Sequence, residues 1–106
     1  MEQNVIFDSR ERILRAELRC EIDHHTAAEL RERIDARLFE ERPEILVIDF
    51  SGVKFMDSSG LGLILGRAEV AGAIGASVRL TGLSQGLMKL LRLGGLERIK
   101  NITVGK

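Results

Sequence analysis

Apolar residues follow two different rhythms along this chain. Between residues 13 and 20 they alternate: Leu14, Ala16, Leu18 and Cys20 point one way, and Arg15, Glu17 and Arg19 the other. That period of two is the signature of a half-buried strand. Val5-Ile6-Phe7 reads as a shorter strand before it, with Arg10-Glu11-Arg12 as a charged turn between them. From Ala27 the spacing becomes helical, with Leu30, Ile34 and Leu38 continuing one face and Arg31, Glu32, Arg33 and Asp35 lying outside. Thr26-Ala27-Ala28-Glu29 has the spacing of a capping box that would start this helix, and Pro43 would stop it. Ile45-Leu46-Val47-Ile48 is a continuous apolar run and predicts a strand covered on both faces, ending at Phe50.

The second half repeats the alternation of element types. Leu61 to Ala73 predicts a helix, and residues 77–81 a strand with Val78 and Leu80 inward. Ser84 could cap a third helix carrying Leu87, Leu90, Leu91 and Leu93 and closed by Gly94-Gly95. Ile102-Thr103-Val104 is a last, edge-like strand. The order β-β-α-β-α-β-α-β implies right-handed crossovers, a mostly parallel sheet with an antiparallel first strand, and helices packed on it. The expected architecture is a single α/β domain over residues 1–106, without linker, repeat or low-complexity segment.

Charge narrows the function. Sixteen basic and sixteen acidic residues cancel and are interspersed, which argues against nucleic-acid binding and gives no reason to sit on an anionic membrane. No apolar run approaches the ~20 residues of a membrane span, and the first twenty residues carry charges in place of an apolar leader core. The cytoplasm is the expected location and a monomer the expected state. Cys20 is the single cysteine, so no internal disulfide or thiolate metal cluster is expected.

The chemistry gathers at Phe55-Met56-Asp57-Ser58-Ser59-Gly60-Leu61-Gly62, between strand and helix. Asp57 and Ser58 fall at the helix start, where either could serve only as an N-cap. The same position would favour a phosphate on Ser58 through the helix dipole and free backbone N–H groups. Such a group brings about −1.5 to −2 charges and should change the outer surface while leaving the fold standing. The following helix is apolar nearly all round, with Arg67 and Glu69 its charges, and Gly62 and Gly66 leave a smooth strip. Either a partner covers that helix or the domain does. Glu21 and Asp23 follow the second strand at the same end of the sheet, where ligands of α/β folds gather. They could meet a basic group of a partner, or Asp23 could simply cap the first helix.

Enzymatic motifs are absent. The glycines at 60, 62 and 66 break the dinucleotide-binding spacing, and there is no G-K-[ST] and no G-x-S-x-G. His24 and His25 are adjacent and cannot share a helix face, so a two-histidine metal site is not expected. They are expected to line the loop into the first helix. No catalytic residue, cofactor or metal is implied.

Val47-Ile48-Asp49-Phe50 followed by Phe55-Met56-Asp57-Ser58-Ser59-Gly60-Leu61-Gly62-Leu63-Ile64-Leu65-Gly66-Arg67 resembles the STAS domain of bacterial anti-sigma factor antagonists, over nearly the whole chain. Together with Glu21-Ile22-Asp23-His24-His25-Thr26-Ala27, it is most similar to the sporulation branch acting on the sigma-F system. The resemblance implies a partner switch. The unphosphorylated antagonist binds an anti-sigma factor that is also a serine kinase, with ADP or ATP bound to the kinase, and displaces the sigma factor. The kinase then phosphorylates and releases it, and a PP2C-type phosphatase restores it. Ser58 matches the acceptor, and Glu21, Asp23, Asp57, Ser59, Gly60, Leu61 and Gly62 match the partner-facing surface. The stretch after Val104 is short, where family members often carry a further helix. Three other readings stand beside this one: a general stress-response antagonist, a STAS module binding a nucleotide or small ligand, and a hydrolase using Ser58 with His25.

Overall fold

The computed structural model describes residues 3–105. Two strands, β1 (Val5–Arg10) and β2 (Ile13–Leu18), form a hairpin, followed by α1 (His24–Glu41), β3 (Ile45–Asp49), α2 (Ser59–Ala73), β4 (Ser77–Thr81), α3 (Gln85–Leu93), a 3-10 turn (Leu96–Arg98) and β5 (Ile102–Val104). The sheet order is β1-β2-β3-β4-β5, antiparallel at β1–β2 and parallel elsewhere. The hairpin closes in two residues, Glu11 and Arg12, both at positive φ (49° and 68°), which matches the right-handed strand twist.

Each parallel strand lies beside its predecessor in one direction across the sheet. Right-handed crossovers therefore place all three helices on the same face. Leu14, Ala16 and Leu18 of β2, Leu46 and Ile48 of β3, and Val78 and Leu80 of β4 are buried beneath those helices. Leu30, Ile34 and Leu38 of α1, with Leu63, Ile64, Ala68 and Ala71 of α2, fill the space above. Burying a side chain of this size contributes about 1.5–3 kcal/mol each, before the entropy cost of ordering the chain.

One sequence expectation changes here. The β3 run is covered on one face only: Ile45 and Val47 are half-buried on the open face, where Val47 pairs across to Arg15 and Arg79. At the end of the strand Arg15 pairs with the buried Asp49. Of the leucines carried by α3, Leu87 and Leu91 are buried, while Leu93 at its end is 79% exposed. Cys20 is half-buried against the core, and burial pushes its thiol pKa up.

Candidate functional site

The site is built where β2 and β3 run out. Past β2, Ile22 N–H donates to the Phe55 carbonyl (3.0 Å), and Asp57 N–H donates to the Ile22 carbonyl (3.1 Å). This isolated parallel bridge between Ile22 and Met56 stitches the loop carrying Glu21 and Asp23 to the loop carrying Asp57 and Ser58. The sequence placed both at one end of the sheet. The bridge makes them neighbours.

Asp23 is the N-cap of α1. Its Oδ1 accepts from the N–H groups of His25 and Thr26 (both 2.9 Å), and Thr26 Oγ1 accepts from Asp23 N–H (2.9 Å). Thr26 Oγ1 also donates to the Glu21 carbonyl (2.7 Å), fixing the backbone of Glu21 while leaving that residue exposed. The reciprocal box is therefore Asp23-x-x-Thr26, three residues before the predicted Thr26-x-x-Glu29. Glu29 instead accepts from Asn4 Nδ2 (3.1 Å). His24 and His25 lie in the first turn of α1, exposed, and not in a loop before it. The Thr26 amide above all, helped by that of His25, holds the Asp23 carboxyl below its ordinary pKa.

The start of α2 is arranged differently. Ser58 occupies the cap position in αR geometry (φ −62°, ψ −16°), is exposed, and makes no side-chain capping bond. Asp57 does that work through Oδ1, which accepts from Ser59 N–H (2.7 Å). Gly60 N–H donates to the Asp57 carbonyl (3.0 Å), and Leu61 and Gly62 N–H groups donate to the Ser58 carbonyl (3.1 and 3.4 Å). The amides expected to receive a phosphate are thus already engaged, and a group on Ser58 Oγ would project into solvent.

The remaining motif residues separate by depth. Gly60 is buried, and a Cβ there would overlap Met56 Sδ and Cγ, so any larger residue requires the Met56 side chain to shift. Leu61 is half-buried against Gly94 beyond α3. Ser59 is half-buried, and Gly62 is exposed. The domain itself covers most of α2, which accounts for its apolar circumference: α1 packs on one side, the sheet lies below, and Gly94 meets Leu61 on the other.

One pair was not visible in the sequence. Arg67 of α2 is 4% exposed, and its Nε stands 2.6 Å from Asp35 Oδ1 of α1. Burial lowers the Arg67 pKa from its ordinary value, Asp35 offsets part of that, and nearby Arg31 adds to the lowering. Between the two helices runs an open groove of about 460 Å³, bordered by His24, Ala28, Arg31, Ser59, Gly62, Gly66 and Arg67 among others. A Cβ on Gly62 or Gly66 would meet nothing within 4 Å. Each glycine costs the helix about 1 kcal/mol relative to alanine, with no steric need inside the domain.

Residues 4–104 match the family model of the STAS domain. An anti-sigma F factor antagonist of Paenibacillus polymyxa is 33% identical over 90 residues, covering 85% of this chain and 77% of its own length. The chain belongs to the STAS-domain family of anti-sigma factor antagonists. An anti-sigma-B factor antagonist of Bacillus subtilis is 31% identical, covering 97% of this chain and 93% of its own length. The fold is also that of the anti-sigma factor antagonist SpoIIAA in its unphosphorylated form (TM-score 0.80, 26% identity, 96% of this chain and 88% of that one). SpoIIAA of Bacillus in its phosphorylated form is similar too (TM-score 0.72, 26% identity, 96% of this chain and 91% of that one). Antagonism of an anti-sigma factor is therefore the family role, and the α/β architecture agrees with it.

Proposed function

We propose that this STAS domain works as a phosphorylation-controlled antagonist. Unphosphorylated, it binds an anti-sigma factor that is also a serine kinase, with nucleotide bound to the kinase, and so frees a sigma factor. A phosphate on Ser58 ends that binding, and a PP2C-type phosphatase restores it. The observation that carries this reading is the state of Ser58: an exposed hydroxyl at the mouth of a 15-residue helix, excused from capping by Asp57. Ser59 has its N–H bonded and sits half-buried, a poorer target for a kinase.

The geometry also supports how the phosphate would act. With the first amides of α2 occupied, the dianion gains no internal partner that would rearrange the fold. It adds charge beside Asp57, in the loop stitched to Glu21 and Asp23. A kinase site carrying nucleotide phosphates would repel that surface and lose close contact with it. Glu21, Asp23, Asp57, Ser59, Leu61 and Gly62 form the proposed docking face with Ser58, and buried Gly60 supports it from beneath.

A sigma-B-type, general stress-response role is the second reading, favoured by the Bacillus subtilis relative that aligns over 93% of its length. It shares the mechanism and differs only in the partner. Intact mass and site mapping after incubation with the cognate kinase and ATP test the proposal. One phosphate on Ser58, and none on Ser58→Ala, is expected. Modification of Ser59 alone, or none while a control substrate is phosphorylated, would overturn it.

A further inference from the structure

The groove between α1 and α2 is left unused by a switch confined to Ser58. Two observations point to an occupant. Gly62 and Gly66 form its α2 wall although a side chain at either would meet open space, so the fold itself does not require them. Arg67, 4% exposed and bordering the same groove, makes no hydrogen bond through Nε although Asp35 Oδ1 is 2.6 Å away. Among the described residues its one hydrogen bond, from a terminal nitrogen to the Leu63 carbonyl, is long at 3.4 Å. Arg31 stands on the opposite wall, close enough for the two guanidinium groups to repel each other. Among the described residues Asp35 is ion-paired with Arg67 and Arg31 has no ion pair, so a second negative charge would complement the groove.

We propose that a carboxylate-bearing segment of the anti-sigma partner lies in this groove, its backbone close over Gly62 and Gly66 and its carboxylate between Arg31 and Arg67. This rests on the reading above: Ser59 borders the groove and follows Ser58, so a partner seated on the serine surface continues into it. The smooth wall gives close approach, and the charge gives direction.

Calorimetric titration of the unphosphorylated chain with its cognate anti-sigma kinase and ADP tests this, with Tm measured for every variant. Gly66→Leu, which fills the groove, and Arg31→Glu are each expected to weaken binding at least about tenfold, whereas Arg31→Lys stays within about threefold of wild type. Gly66→Ala should raise Tm by a few degrees, as expected where only the partner requires glycine. Wild-type affinity for folded Gly66→Leu and Arg31→Glu, alongside weak Ser58→Asp, would overturn the groove and spare the switch. Wild-type affinity for Ser58→Asp with weak groove variants would do the reverse. If Gly66→Leu does not fold, the exposed Arg31→Glu decides alone.

Discussion

The two helices that meet at the site begin in opposite ways. At the start of α1 the cap residue is fully committed: Asp23 Oδ1 accepts from two amides, and its own N–H donates to Thr26 Oγ1 in return. At the start of α2 the residue in the cap position is idle, and its neighbour Asp57 takes the amide. Both carry a residue type that favours N-caps. Only the second leaves its oxygen free, and a hydroxyl that the fold does not use can be modified without unfolding anything. Structural duty at Asp23 and chemical availability at Ser58 are the two outcomes of one local choice.

The largest expected break in this contrast comes from charge. Ser58→Asp should lose about 100-fold or more in affinity for the anti-sigma kinase while its Tm stays near wild type, read by titration and calorimetry. Next, Asp23→Ala should lower Tm by roughly 4–8 °C, the shift of a lost cap in a domain of this size, seen by thermal melting at neutral pH. Any weaker binding by that variant then mixes a frayed α1 with a lost carboxylate, and Asp23→Asn, which can still cap, separates the two.

A smaller effect follows from titration. The folded pKa of Asp23 is depressed, so its contribution to stability is complete at neutral pH and is lost as pH falls below about 4 through the folded value. Melting between pH 6 and 3 should therefore show a shallower decline for Asp23→Asn than for wild type. Ser58→Ala should follow the wild-type slope. The smallest effect completes the series: Ser58→Ala should leave Tm within about 2 °C, since no bond of its side chain supports the helix.

Much of this was legible in the residues. The alternation through Leu14, Ala16 and Leu18, the period of Leu30, Ile34 and Leu38, and the Ser84 cap all persist in the fold, Ser84 Oγ accepting from Leu87 N–H at 3.1 Å. The first cap was misplaced because both Asp23-x-x-Thr26 and Thr26-x-x-Glu29 fit the spacing. What separates them is the bridge from Ile22 to Met56, which holds the chain extended until one residue before Asp23. That partner lies 34 residues away, beyond the reach of local pattern. The β3 run misled for a related reason: β-branched residues suit a covered face, and here Val47 sits in register with Arg15 and Arg79 on the open face, only half-buried. Asp35 and Arg67 are likewise invisible as a pair until α1 and α2 are laid side by side.

At the site, the serine loop and its acidic neighbours were readable because their residue types and position at the strand ends already restrict the chemistry. The engagement of every first-turn amide was not, since it depends on Asp57 adopting a particular turn. On the proposed reading, that detail would make a phosphate on Ser58 an outward-facing charge in place of one cradled by the helix start.

The most direct test compares the chain carrying phosphate on Ser58 with the unmodified chain, measuring affinity for the anti-sigma kinase and Tm on the same samples. The account predicts binding by the unmodified chain, at least about 100-fold weaker binding by the phosphorylated one, and nearly equal Tm. Equal affinity would contradict the switch, and a large fall in Tm would contradict a phosphate that acts only at the surface.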